Sequence, residues 1–237
     1  MTSTATKPVA LVTAASRGMG EGIARHLVAN GWRVSLLARS DSVIELGREL
    51  NGLAMRGSVS DPGDLTRLVD HTYDRFGRID GVVNNTGHPP RGDILSIEDR
   101  EWHEALDLLV LNVIRTSRLV VPHMQRAGGG AFVNISTIGA VQPDVQHPVS
   151  AVLRSGLSGF TKLFANTYAR TGLRMNNVLP GRIDSYPQTP ERIAEIPAGR
   201  LGQVRDIATT VAFLLSPDAA YINGQDIIVD GGLVRGV

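Results

Sequence analysis

Ser150 and Arg154, in the stretch HPVSAVLRSG (residues 147–156), stand four positions apart where helical patterning begins, so their side chains project from one face. His147 lies three positions before Ser150, and imidazole is the side chain whose ordinary pKa lies nearest neutrality. A hydroxyl, a guanidinium and an imidazole so placed could bind an oxygen-rich ligand and move a proton. A second stretch, LVTAASRGMGEG (residues 11–22), offers different chemistry. Its glycines would let backbone N–H groups approach a pyrophosphate at the positive end of a helix, with Thr13, Ala15, Ser16, Arg17, Gly18, Met19 and Gly20 lining the turn. A methyl at Ala14 is compatible with such a turn if its φ is negative. Downstream, WRVSLLARS ends in Ala38-Arg39-Ser40 where an acidic residue would accept from a ribose 2′-OH. Arg39 beside Ser40, together with Arg17, instead supplies guanidinium groups suited to a 2′-phosphate, which favours NADP(H) over NAD(H).

These residues must be positioned by an alternating scaffold. PVALVT, WRVSLLA, IDGVVNN, AFVNIS, LRMNNVLP and DIIVDGG read as apolar or β-branched strands. GEGIARHLVANG, a polar helix after the second strand, the long run through WHEALDLLVLNVIRTSRLVVPHM, and SAVLRSGLSGFTKLFANTYA read as helices between them. Strands that are continuously apolar, each followed by an amphipathic helix, specify a parallel sheet covered on both faces, the doubly wound α/β class. Asn30-Gly31 and Gly128 to Gly130 punctuate two of the helices.

The chain has 237 residues, of which 42% are apolar, and a formal net charge of +1. This suits a single domain spanning residues 1–237, with a flexible N-terminus at 1–7 and an irregular flap at about 182–200. Pro187, Pro190 and Pro197 argue against one long helix in the flap. Scattered charge gives no basic face for nucleic acid. The absence of cysteine excludes disulfides, thiolate nucleophiles and thiolate-bound zinc, and no metal site is expected. With no signal-like leader and no apolar run long enough for a membrane span, the expectation is a cytoplasmic protein acting on a small molecule.

In order along the chain, TAASRGMG, NNTG (84–87), LNV around Asn112, NIST (134–137), SAVLR (150–154), NNVLPGRI (176–183) and GQDIIVDGG (224–232) resemble the short-chain dehydrogenase/reductase family. The resemblance implies a single Rossmann-type domain with a sheet of about seven strands, a homo-oligomer (dimer or tetramer) built on long helices, and hydride transfer between NAD(P)H and a carbonyl or alcohol. It also implies that Pro180, Gly181 and Ile183 hold the nicotinamide carboxamide, that Asn85, Thr86 and Gly87 line the adenosine side, and that Ser58 and Val59 of GSVSD lie near the adenine.

The family pattern is nonetheless altered. Its catalytic tyrosine and lysine align with Ser150 and Arg154, and its serine with Thr137, although Ser136 has the better spacing to Gly139; only Asn112 is retained unambiguously. Ala14, Thr86 and Ser58 replace a glycine, an alanine and an aspartate. A serine hydroxyl is far too weak an acid to replace a phenol, and a guanidinium stays protonated and cannot relay protons. Arg154 is therefore expected to bind the cofactor, while His147, Tyr186, His88 and Asp144 are alternative proton sources near the cleft. Three readings stand: a reductase with a relocated proton donor, a reductase of C=N or iminium substrates needing no enzyme acid, or a cofactor-binding protein with non-redox activity (lyase, isomerase or cyclase) or a regulatory role. Halohydrin dehalogenases share an arginine at the lysine position but keep the tyrosine and lose the glycine-rich turn, the reverse of this chain.

Overall fold

The computed structural model describes residues 7–236; the expected flexible N-terminus therefore falls, save Lys7, outside the described residues. Seven parallel strands form one sheet in the order β3-β2-β1-β4-β5-β6-β7: β1 Val9–Thr13, β2 Arg33–Ala38, β3 Leu53–Arg56, β4 Gly81–Asn84, β5 Gly130–Ile135, β6 Leu173–Pro180 and β7 Asp226–Val229. The order reverses between β1 and β4, and in an open α/β sheet the crevice beyond the strand ends at such a point is where ligands bind.

Period-two alternation divides the strands between two cores. Ala10 and Val12 of β1 and Val34, Leu36 and Ala38 of β2 face helices α1 (Gly18–Ala29), α2 (Ser42–Glu49) and α8 (Val204–Leu215). Leu11 and Leu37 face the opposite way, towards α3 (Pro62–Phe76), α5 (Asn112–Arg126) and α6 (Pro148–Tyr168). The central strands β1 and β4 are covered on both sides and buried throughout, as their largely apolar sequences require.

The long helical run divides into α4 (Asp99–Leu106), a π-helical segment (Asp107–Leu111) and α5. The π turn packs against α6. The expected flap contains only the short helix α7 (Pro190–Ala194), begun by Thr189 and Pro190, and is closed at its base by a bridge between Ile183 and Gly202. Three elements add to the sequence reading: β3 and α3 in the β2–β4 connection, and α8 before β7.

A row of amides crosses the sheet. Asn84, Asn134, Asn177 and Asp226 are direct cross-strand partners on β4, β5, β6 and β7. Asn84 Nδ2 donates to Asn134 Oδ1 and Asn134 Nδ2 to Asn177 Oδ1, both at 2.8 Å, and Asn177 Nδ2 donates to Asp226 Oδ1 at 2.7 Å. Thr161 of α6 joins the row, its Oγ1 donating to Asn177 Oδ1 at 2.9 Å. The row ties the strand ends that flank the crevice to the helix that carries Ser150 and Arg154.

Candidate active site

At the C-terminal end of β1 the chain turns into α1 through Ala14 and Gly18. Ala14 has φ +46°, so the condition of a negative φ is not met: the turn needs a left-handed residue, and an alanine there costs about 1–2 kcal/mol relative to the right-handed region. Gly20 has no alternative, since a Cβ on it would lie 2.4 Å from the Ala14 carbonyl oxygen and 2.8 Å from Asn85 Nδ2. Thr13 Oγ1 donates to the Asn85 carbonyl at 2.7 Å and accepts from the Asn85 N–H at 2.9 Å, clasping the ends of β1 and β4. Arg17 occupies the N-cap without a side-chain hydrogen bond, so no capping side chain covers the first N–H groups of α1. This helix end can take an anion.

Arg39 follows β2, and its Nη2 lies 3.8 Å from where a Cβ of Gly87 would stand, so the guanidinium leans across the crevice towards the end of β4. A shallow hollow beside it is lined by Arg39, Arg56, Gly57 and Asp64. Arg56 donates to the Arg39 carbonyl at 3.2 Å and pairs with Asp41 at 3.1 Å. The Ser58 N–H donates to Asp64 Oδ2 at 2.7 Å, Val59 is buried, and Ser40 Oγ is hydrogen-bonded to Ser42 Oγ at 2.9 Å.

The larger cleft, about 760 Å³, gathers Met19, Asn85, Thr86, Gly87, Ser136, Thr137, His147, Ser150, Arg154, Pro180, Gly181, Ile183 and Tyr186. Ser150 and Arg154 share the inward face of α6, only 9% and 7% exposed. Arg154 donates from Nη1 to the Ile135 carbonyl at 2.5 Å and from Nη2 to Thr86 Oγ1 at 3.3 Å, and among the described residues no carboxylate pairs with it. Burial pushes its pKa down to about 10. The hydroxyl after β4 and the guanidinium of α6 thus touch each other, since Thr86 accepts from Arg154. Ser136 Oγ is buried without a hydrogen-bond partner, whereas Thr137 Oγ1 accepts from the Gly139 N–H at 3.3 Å. Gly181 packs against Asp230, where a Cβ would sit 2.7 Å from Cα.

His147 precedes α6 and its Nδ1 lies 3.2 Å from Asp144 Oδ2. The Gln146 N–H, then His147 itself, hold the Asp144 carboxyl below its usual range, against an opposing effect of burial. Tyr186 is half exposed; its ring centroid is 6.0 Å from that of His88 and 5.9 Å from the Arg91 guanidinium carbon. The His88 pKa is lowered by partial burial and then by Arg91, Arg154, His147 and Arg17. Asn112 is not on the cleft surface. It is buried just after the π turn, its Nδ2 donating to the Leu108 carbonyl at 2.7 Å while Oδ1 has no partner. Thr13, Ala15, Ser16, Arg17, Gly18, Ser40, Ser58 and Val59 also lie outside this cleft's lining, around the glycine turn and the ends of β2 and β3. The cleft further contains Arg91, Gln142, Arg192 and Arg235, which sequence reading does not single out because they stand in loops or on the short helix α7 without a motif.

A doubly wound parallel sheet with a glycine turn at its reversal point and a polar cleft beyond β4 to β6 defines a Rossmann-type fold with a candidate site at its switch point. The family described as enoyl-(acyl carrier protein) reductase matches residues 13–234. The chain is 33% identical to 3-oxoacyl-(acyl-carrier-protein) reductase FabG of Vibrio cholerae over 235 residues, covering 95% of this chain and 96% of that protein. It is also 33% identical to FabG of Escherichia coli K12 (95% and 96% covered) and of Staphylococcus aureus Mu50 (94% and 97%). The chain belongs to the short-chain dehydrogenase/reductase family of oxidoreductases.

Proposed function

We propose that the protein is an NADP(H)-dependent oxidoreductase that reduces a carbonyl or C=N group with an altered set of catalytic residues, Ser150 and Arg154 standing where the family's tyrosine and lysine align. The observation that carries this reading is Arg154: a buried guanidinium without a carboxylate partner, turned into a cleft on the same helix face as Ser150. A charge kept out of water without a counter-charge is costly to the fold, and a bound polar ligand offsets that cost.

The chain suits NADP(H) at each point of contact. The turn at Ser16 to Gly20 would receive the pyrophosphate, Arg17 and Arg39 with Ser40 the 2′-phosphate, Ser58 and Val59 the adenine, and Asn85 to Gly87 the adenosine. Arg154 would hydrogen-bond the nicotinamide ribose, with Pro180, Gly181 and Ile183 at the carboxamide. When bound, the cofactor supplies the hydride. The hydroxyls of Thr137 and Ser136 orient the acceptor group, and Asn112 supports α6 through the π turn. Ser150 offers a hydrogen bond but not an acid strong enough for proton transfer. His147, held by Asp144, is the cleft group suited to hold that proton for a ketone, while Tyr186 closes the flap side. A 3-oxoacyl compound, named for the relatives, is a first carbonyl to try. An iminium carbon is already cationic and needs no enzyme acid, so it fits the same cleft. We further propose a cytoplasmic homo-oligomer built on α6. Val152 and Leu163 are exposed in line with Gly156 and Gly159, which have open space beside them.

Titration of NADPH and NADH by cofactor fluorescence comes first, with tighter NADPH binding expected and weakened by Arg39→Ala. NADPH consumption with matched ketones and cyclic imines then separates the chemistry. Ketone turnover lost in His147→Ala identifies the proton donor; unchanged turnover in both His147→Ala and Tyr186→Phe refutes a relocated donor. Turnover of imines alone supports the iminium reading. Tight cofactor binding without consumption of NADPH by any substrate favours a lyase, isomerase, cyclase or regulatory role. Ser150→Tyr with Arg154→Lys is expected to raise ketone turnover.

A further inference from the structure

The cleft holds more cationic groups than the cofactor reading uses. Five arginines line it, Arg91, Arg154, Arg182, Arg192 and Arg235, against two carboxylates, Asp144 and Glu195. Both carboxylates are engaged, Asp144 with His147 and the Gln146 N–H, Glu195 with Arg182. Arg91, Arg192 and Arg235 form no ion pair among the described residues.

These three arrive from separate segments, each fastened to the rest of the cleft. Arg91 is held against the Tyr186 ring. The carbonyl of Arg192, on α7, accepts from Arg182. The N–H of Arg235, after β7, donates to Gln142 Oε1 at 3.0 Å, bringing the C-terminal segment to the loop that follows β5. Concave walls concentrate the field of such groups, and a planar guanidinium matches the oxygens of a carboxylate or phosphate. Burial first, and then the charges of Arg91, Arg154, His147 and Arg17, lower the His88 pKa in the same cleft.

We propose that the substrate carries an anionic group, a carboxylate or a phosphate, received by Arg91, Arg192 and Arg235 on the flap side of the cleft, with its reducible group directed towards Ser150 and Thr137. This rests on the NADP(H) reading only in leaving Arg17, Arg39 and Arg154 to the cofactor. Nothing in the recognition requires hydride transfer. The anion could belong to a small acid or to the arm of a phosphopantetheine thioester, and two matched pairs separate these sources.

Binding of 2-oxo-4-phenylbutyrate and its ethyl ester, and of acetoacetyl-phosphopantetheine and acetoacetyl-pantetheine, is measured by calorimetry at low salt, with and without saturating NADPH. At least one anionic member should bind tenfold or more tightly than its neutral counterpart, and 0.5 M salt should reduce that preference. Arg91→Gln, Arg192→Gln and Arg235→Gln should each weaken the anionic member about three- to tenfold, leaving the neutral member and NADPH within twofold. Preference in the first pair alone identifies a small acid, in the second alone a phosphopantetheine arm, and in both a general anion site. Equal binding within both pairs, or an anion preference that survives all three substitutions, overturns the proposal. Failure of NADPH to bind would refute the cofactor reading without touching this comparison.

Discussion

Replacing Arg154 with methionine should make the protein more stable and worse at holding its cofactor. The guanidinium is buried, and its pKa falls to about 10 solely through loss of hydration. A cation whose folded-state pKa is lowered binds its proton less well in the folded protein. Its penalty is therefore complete below pH 10 and is relieved only as the pH rises from there towards the ordinary arginine value. A fall of roughly two and a half pH units corresponds to a penalty of about 3 kcal/mol at neutral pH. Against it stand the bonds to the Ile135 carbonyl and Thr86 Oγ1, each contributing about 1 kcal/mol. Arg154→Met should thus gain about 1 kcal/mol, a rise in Tm of roughly 3 °C for a chain of this length, while weakening NADPH binding tenfold or more. Thermal unfolding followed by circular dichroism, without and with NADPH, gives both numbers, and the variant should lose the extra stabilisation that NADPH gives the parent. A loss of more than 2 kcal/mol in the cofactor-free variant would refute the reasoning, because it would make the guanidinium a structural tie between β5 and the loop after β4.

Ala14→Gly should raise Tm by about 2 °C in the same assay, since relief of the left-handed strain, about 1–2 kcal/mol, exceeds the extra freedom of glycine in the unfolded chain, about 0.4–1 kcal/mol; a lower Tm would contradict it. Asn134→Leu should cost about 3–5 kcal/mol in urea unfolding, because the Asn84 amide and an acceptor position on Asn177 lose their buried partner, at about 1–3 kcal/mol each, along with the Thr161 contact; a change under 1 kcal/mol would refute the coupling of that row. Val152→Glu with Leu163→Glu should shift sedimentation towards a monomer with unchanged circular dichroism, and an unaltered sedimentation coefficient would remove α6 from the oligomer interface.

The sheet is readable where its strands are buried on both faces, because the apolar stretches of β1 and β4 are bounded by glycine, proline or polar residues. LAMR was not: β3 is a four-residue edge strand, partly exposed, whose composition differs little from a loop's. The amphipathic α8 carries a sequence signal that marks its start, the Gln203–Asp206 capping box. The π turn before Asn112 has no signature in DLLVL that separates it from an α-helix. In the candidate site, motif spacing brought Ser136, Thr137, His147, Ser150, Arg154 and Tyr186 to one cleft. Arg91, Arg192 and Arg235 carry no motif, because their meeting at one cleft depends on how two loops and the short helix α7 fold back, and the left-handed φ of Ala14 depends on the turn rather than on its own residue type.

The amide row across β4 to β7 also bears on how the sheet is completed. Its members lie far apart in sequence, so the pairings close late, and a sheet still lacking β6 leaves the Asn134 amide without its Asn177 acceptor. A partial assembly, or one with β6 shifted by a residue, is thereby marked as unfinished by its own unsatisfied dipoles, and the correctly aligned sheet is the arrangement in which all of them are quenched.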